Sequence, residues 1–281
     1  MSAYRESEHH SLESPGRCSS AVTRNSLTAA VLVTSNSHDF LEDLLTSIDD
    51  QSRSPDMRIA IDDLSTDSTR SLLEEHGFTV SRATSSAEDM VTRIAQNFLQ
   101  GVRVAVAAGA EVVILGDHDD VWRRDRVDYQ VSFLDEHPSV GMLASDGFLI
   151  DEHGAALPGT IRSTFPVPED FNEQSTRAQL AYAVRHSVAT GGASALRPAV
   201  LPDWSIPAGW LHDRWWSLAT IRAGCFVADP TPVIDYRLTA NQQVGLDAAS
   251  QNDGKRWLSR KAREATRSAS RARDLSRLIT P

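Results

Sequence analysis

The sequence predicts an α/β fold, a single domain on a mostly parallel sheet flanked by helices, and three observations carry that expectation. From Leu27 to Leu115, short β-rich runs alternate with stretches of helical periodicity, the pattern that right-handed crossovers between parallel strands produce. Three of the four predicted strand ends are polar: Thr34-Ser35-Asn36, Asp62 to Asp67, and Asp117-His118-Asp119-Asp120. Ligands of such sheets bind outside the carboxyl ends of the strands. With 281 residues, 41% hydrophobic and 23% charged, the chain has enough apolar material for one core of normal size.

The elements follow in order. AAVLV (29–33) is the first strand, and Leu41, Leu44, Leu45 and Ile48 then share one helical face,. MRIAI (57–61) is the second strand, followed by a helix that opens at Ser65 to Asp67 and stops at Gly77, where glycine suits a left-handed cap,. FTVSRA (78–83) is the third, and the next helix aligns Val91, Ile94, Ala95, Phe98, Leu99 and Val102; EVVIL (111–115) is the fourth strand. The second half is less regular. It offers a strand at VGMLAS (140–145), a Pro-containing loop around 157–170, a helix near 175–186, and the segments GGASAL, WLHDRWWSLATIRAG and PVIDYRLTANQQVG.

Residues 1–26 are Ser-rich, polar and aperiodic and are expected to be a mobile arm,. The domain is expected over 27–250, in two halves (27–122 and 123–250), and a basic helical tail follows over 251–281. The net charge of −10 is uneven: Lys255 to Arg277 holds nine Lys/Arg against Glu264 and Asp274, so this tail is +7 and the remainder −17. So acidic a body excludes nucleic acid as partner, and an anionic substrate would need a cation. The tail is either a solvated helix on the acidic body or a peripheral contact with anionic lipid. Cys18 and Cys225 are too far apart in sequence to suggest a disulfide framework or metal site,. No apolar run is long enough to span a membrane and the N-terminus has no signal-like apolar stretch,, so a cytoplasmic location is expected, peripheral to the membrane if the tail binds lipid.

Chemistry concentrates at the strand ends. Asp117, Asp119 and Asp120 put three carboxylates within four residues, and such charges raise one another's pKa unless a cation joins them,. Mn²⁺ or Mg²⁺, bridging the phosphates of a ligand, relieves that repulsion; a solvated acidic loop or helix cap is the bland alternative. Asp62 and Asp63 can accept hydrogen bonds from a base and a ribose. Thr34 and Asn36 either touch the nucleotide or cap the following helix.

Taken together, VLVTSN, LLTSIDDQ, IAIDDLSTDST and LGDHDDVW, with HDRWW and YRLTANQQVG downstream, resemble family 2 glycosyltransferases and their rhamnosyltransferase-like branch over roughly Ala29 to Gly245. The resemblance implies a Rossmann-like GT-A fold and inverting transfer of a sugar, rhamnose among the candidates, from a nucleotide-diphosphate donor to a hydroxyl of a glycan or lipid-linked acceptor in cell-surface polysaccharide synthesis. It implies that Thr34, Asn36, Asp62 and Asp63 hold the nucleotide, that Asp117 and Asp119 hold the metal, that Asp213 is the catalytic base, and that Arg237 meets the diphosphate. Two departures stand out: Thr239 occupies a place where the branch often carries His, and Val33 and Ser35 replace a common Pro and Tyr.

Trp210 and His212 are expected on the acceptor side, with Trp122 and Trp216 in the core, and Gly191-Gly192 makes a turn or lets backbone approach a ligand,. Two other functions compete. A nucleotidyltransferase acting on a sugar phosphate would show a glycine-rich phosphate loop near the first strand, and VTSNSHDF has none. An inactive nucleotide-sugar-binding protein of the same fold would have no need to keep Asp117, Asp119 and Asp213.

Overall fold

The computed structural model describes residues 26–200, 203–239 and 274–276. The expected arm, apart from Ser26, and the expected basic tail, apart from Asp274 to Ser276, lie outside the described residues. Ser26 belongs to the body: it is buried and its hydroxyl donates to Asp135 Oδ1 at 2.5 Å.

The first half runs β1 (Thr28–Thr34), α1 (His38–Asp49), β2 (Met57–Asp62), α2 (Thr69–Glu75), β3 (Thr79–Arg82), α3 (Met90–Ala107) and β4 (Val112–Gly116). Its strands pair in parallel in the order β3-β2-β1-β4, as the alternation predicts. Strand β1 is buried on both sides, so its side chains alternate between two cores,. Ala29 and Val31 face α3, against Phe98 and Val102; Ala30 and Leu32 face α1, against Leu41, Leu44, Leu45 and Ile48. Gly77 ends the α2 segment at φ 75, the left-handed cap its position predicts,.

The second half contains β5 (Val121–Trp122), α4 (Arg126–Glu136), β6 (Met142–Ile150), β7 (Ala156–Thr160), α5 (Ile161–Thr164), α6 (Thr176–Ala183), β8 (Ser194–Leu196), α7 (His212–Arg222) and β9 (Phe226–Arg237). Here the parallel pattern gives way to a mixed one. β8 is antiparallel to both β4 and β6, β9 is parallel to β6 and antiparallel to β5, and β7 adds to β6. All nine strands still form one sheet. The expected Pro-containing loop around 157–170 thus contains strand β7 and the short helix α5. Strand β9 carries Pro230 and Pro232, which lack the N–H a ladder needs; the β6–β9 register is irregular on both sides of Asp146, the residue opposite Pro232.

Two buried polar side chains, Ser47 of α1 and Gln51 just past its end, brace the segment after β4. Ser47 Oγ accepts the Trp122 amide at 2.9 Å, while Gln51 accepts the Val127 amide at 3.1 Å and donates to the Arg123 carbonyl at 2.9 Å. The chain leaving the four residues between β4 and β5 is thereby held in place.

Helix α3 lies flush on β1: a Cβ added to Gly101 would stand 2.4 Å from Val31 Cγ1. Overpacking there costs about 1–3 kcal/mol, against the ~1 kcal/mol that alanine gains over glycine in a helix. Gly101→Ala is therefore expected to lower the urea midpoint at unchanged slope. A raised midpoint would mean that the helix has room to lift.

Candidate active site

A cleft of about 540 Å³ opens at the carboxyl ends of β1, β2 and β4 and is closed on its far side by residues 187–191 and the start of α7. Of the residues singled out from the sequence, Thr34, Asn36, Asp63, Asp117, Asp119, His212 and Asp213 line it. Asp62, Arg237 and Trp210 do not, and each is placed elsewhere for a physical reason.

At the β2 end, Asp62 turns inward. It is 5% exposed and accepts the hydroxyl of Thr34 at 3.4 Å, the Ser65 amide at 3.3 Å and the Ser65 hydroxyl. Its carboxylate is consumed in shaping the loop, which corrects the expectation that it holds the nucleotide directly. The next side chain points the other way: Asp63 faces the cleft and pairs with Arg93 of α3 at 2.9 Å. Asn36 ties this loop to the first one, its Oδ1 accepting the Thr66 amide at 2.9 Å and hydroxyl at 3.2 Å. Asn36 and Leu64 adopt φ of 47 and 61, left-handed values that a non-glycine residue holds only when its surroundings impose them,.

At the β4 end, carboxylates converge. Asp117 is pushed up from its ordinary 3.8 to about 7 by burial and by the neighbouring charges of Asp119 and Asp213. Asp120 is completely buried and held well above its ordinary value by burial and by Asp119 and Asp117. Tyr236, which also lines the cleft, is shifted upward by burial and then by the charges of these same carboxylates. Beneath them lies a buried cation that sequence reading passed over, Arg126. Its guanidinium stacks 4.1 Å from the Trp122 ring and donates to the Leu115 carbonyl at 2.6 Å, and burial lowers its pKa to about 9.

Arg237 sits behind this loop and does not line the cleft. It is 1% exposed, and its guanidinium donates to the Asp119 carbonyl at 2.8 Å, to the Glu152 carbonyl at 3.2 Å and to Asp43 Oδ2 at 2.8 Å. Its amide donates to Asp120 Oδ1 at 3.1 Å. The register of β5 on β9, with Val121 opposite Asp235, brings this residue to the acid loop. Arg237 is thus a clamp on the acid-loop backbone, set outside the cleft in which it was expected to meet a diphosphate.

Across the cleft, Asp213 stands in the first turn of α7 and accepts the Arg214 amide at 2.6 Å. Burial raises its pKa, opposed by hydrogen bonds from backbone amides, Gly191 among them, and by the charge of Arg214. The adjoining Gly192 amide donates to Asp117 Oδ2 at 3.0 Å. Two consecutive amides therefore bracket Asp213 and Asp117, the first acid of the loop. Only glycine fits: a Cβ at Gly192 would stand 2.6 Å from Asp120 Oδ2 and 2.7 Å from Asp117 Oδ2, and one at Gly191 would stand 2.3 Å from His212 Nε2.

His212 is buried, stacks 3.8 Å from Phe98, and is lowered by burial to about 3, so it is neutral near pH 7. Trp210 corrects an expectation. It is 3% exposed within the core on the α3 side, tilted against Trp215, and its Nε1 donates to Asp274 at 3.2 Å; large aromatic surface is better spent there than on a sugar-facing wall. Asp146 of β6 is also engaged, accepting the amides of Gly147 at 2.8 Å and Arg162 at 3.1 Å. Trp122 and Trp216 are core residues as expected.

Among the described residues no group of three or more His, Cys, Asp or Glu side chains has the geometry to hold a metal ion by itself. Asp117 and Asp119 offer hard oxygen donors of the right kind, but further oxygens must come from a ligand. Nor, among the described residues, is any helix long and apolar enough to cross a membrane.

Two outcomes test this electrostatic picture. A carboxyl that keeps its proton until about pH 7 when folded, but loses it near 3.8 when unfolded, weakens the fold as pH rises between those values,. In metal-free buffer, Asp117→Asn should therefore gain melting temperature relative to wild type on going from pH 5 to 8, by on the order of a few degrees; a difference independent of pH would contradict the raised pKa. Gly192→Ala should displace the Asp117 and Asp120 carboxylates and lower the urea midpoint by the equivalent of about 1–3 kcal/mol, the usual cost of overpacking; an unchanged midpoint would mean that the acid loop can give way.

Comparison with known proteins agrees with this architecture. Residues 29–148 match the Glycosyl transferase family 2 sequence profile. A Bacillus subtilis (strain 168) protein named as a teichuronic acid biosynthesis glycosyltransferase, TuaG, is 29% identical over 141 residues, 45% of this chain and 51% of that protein. The chain thus spans about half the length of this curated relative. Among solved structures, residues 1–349 of S. aureus TarS in complex with UDP superpose with a TM-score of 0.51 at 16% identity, covering 75% of this chain and 60% of that one. The glucosyl-3-phosphoglycerate synthase of Mycobacterium tuberculosis, solved with Mn²⁺, UDP and glucosyl-3-phosphoglycerate, gives 0.52 at 17% identity, covering 76% and 73%. The fold is of the GT-A type, and residues 29–148 are similar to glycosyl transferase family 2.

Proposed function

We propose that this protein is an inverting glycosyltransferase that moves a sugar from a nucleoside-diphosphate donor to a hydroxyl of a glycan or lipid-linked acceptor. The observation that carries the proposal is the meeting of Asp117 and Asp119 with Asp213 across one cleft, bracketed by the Gly191 and Gly192 amides. The UDP and Mn²⁺ bound by the mycobacterial synthase of the same fold support this reading. So does the excess of carboxylates, which a Mn²⁺ or Mg²⁺ ion and a diphosphate would balance. The rhamnosyltransferase-like motifs favour rhamnose as the sugar, and the +7 segment favours peripheral contact with an anionic membrane from the cytoplasmic side,.

In this reading Thr34 and Asp63 orient the nucleoside, Asp63 keeping its pairing with Arg93, a residue the sequence did not mark. Asp117 and Asp119 hold the cation, which on binding supplies Lewis-acid stabilisation of the departing diphosphate. Asp213 takes the proton of the attacking hydroxyl. Its burial favours that role: a carboxylate with a raised pKa is a better base than a solvated one. Arg237 and Arg126 act from beneath, fixing the backbone and the charge balance of the acid loop.

A donor panel of UDP-, GDP-, dTDP- and ADP-sugars with Mn²⁺ or Mg²⁺, followed by release of nucleoside diphosphate, tests the activity. Asp213→Asn should bind nucleoside diphosphate with near-wild-type affinity yet lose turnover roughly 10²–10⁴-fold, the usual contribution of a positioned acid–base group. Asp119→Asn should lose both binding and turnover. Wild-type turnover by a folded Asp213→Asn protein would remove Asp213 as the base.

A further inference from the structure

One group on the cleft floor is accounted for neither by the fold nor by the roles proposed above. Asn97 of α3 is completely buried and lines the cleft, yet both its Oδ1 and its Nδ2 lack a hydrogen-bond partner. Buried amides without partners are rare in folded proteins, because the desolvation they suffer is not returned. A second group with the same property lines the same cleft: both ring nitrogens of His212 are buried and unpartnered. The residues are physically joined, since the His212 ring stacks on Phe98, the neighbour of Asn97, at 3.8 Å. Gly191 presses on the imidazole so closely that no Cβ is accommodated, which fixes the ring in place.

We infer that Asn97 and His212 form one neutral receptor for the ring hydroxyls of the nucleotide-sugar donor, an inference that rests on the function proposed above. Hydroxyls suit it on chemical grounds. An amide offers donors and an acceptor, and a neutral imidazole one of each, and every ring hydroxyl both donates and accepts. The phosphates need positive charge, which neither residue supplies. Apolar Val33, Ile94 and Phe98 line the same cleft, and hydrogen bonds made to buried groups beside them are strengthened where a ligand displaces water. His212 immediately precedes Asp213, which carries this receptor from α3 to the reacting centre. Two rings of the donor bear such hydroxyls, the ribose and the transferred sugar.

The full chain with Mn²⁺ is titrated with the best-binding nucleoside diphosphate of the panel and with its hexose conjugate, in parallel with Asn97→Leu. Leucine fills the same space and removes the orphaned amide. The variant without ligand should melt at the wild-type temperature or above, which a structural asparagine would not allow, while donor affinity falls about 10–100-fold for the one or two hydrogen bonds lost. If the loss is already complete with the nucleoside diphosphate, the ribose occupies the receptor; if it appears only with the conjugate, the transferred sugar does. His212→Phe, which preserves the stack on Phe98, should shift affinity in the same direction and carries the test alone if Asn97→Leu does not fold. Wild-type affinity for both ligands in both variants overturns the receptor while leaving the glycosyltransferase reading intact. A variant that merely re-ranks the nucleobases of the panel also overturns it, by putting a base edge on Asn97. Failure of the wild-type chain to bind any nucleoside diphosphate would sink the functional reading and the receptor with it.

Discussion

Mutual repulsion among carboxylates is the constraint on which the rest of this structure depends. At the end of β4, Asp117 feels the charges of Asp119 and Asp213, Asp120 those of Asp119 and Asp117, and burial strengthens each interaction,. The neighbouring architecture reads as a set of answers. Gly191 and Gly192 aim consecutive amides at two of the acids, Arg126 lies under the loop, and Arg237 grips its backbone. These supports come from α4, β9 and the turn before β8, which explains why the irregular second half folds back on the regular first half. The compensation stays incomplete, leaving Asp117 near a pKa of 7, and a site with residual negative charge is suited to a cation that arrives with its ligand.

Much of the first half was legible because both faces of its strands are buried. Runs such as AAVLV and EVVIL need no alternation to be recognised, and the helices between them carry clean apolar faces,. The second half hid its longest strand. Strand β9 contains Asp229, Pro230, Pro232 and Asp235, residues that ordinarily interrupt a strand, and only the register irregularity opposite Pro232 reconciles them with pairing. Strand β7 was concealed in the same way, by Pro158 and Gly159 within a five-residue element.

Within the site, the residue types were readable but their directions were not. Asp62 and Asp63 are chemically identical neighbours, yet one is spent on Ser65 and Thr34 while the other meets Arg93 at the cleft. Trp210, three residues from Asp213, looked like a sugar platform and is a core residue, since proximity in sequence says nothing about which side of the helix start an indole occupies. Arg126 and Asn97 left no local signal at all. A buried guanidinium beneath an acid loop and an amide without partners are defined by what surrounds them, and their surroundings come from elements far away in the chain.

The glycine pair before β8 has a consequence for how such a protein can diversify. Because added atoms at 191 or 192 would collide with His212 or with the acids themselves, the backbone beside Asp117 and Asp213 is closed to variation. If the cleft works as proposed, new acceptor preferences would be written around it, at Phe165, Ser187, Thr190, Leu211 and Arg214, where side chains border the same opening. Constancy then falls to a part of the chain that has no side chain to lose, and selectivity to a ring of residues that can drift one at a time.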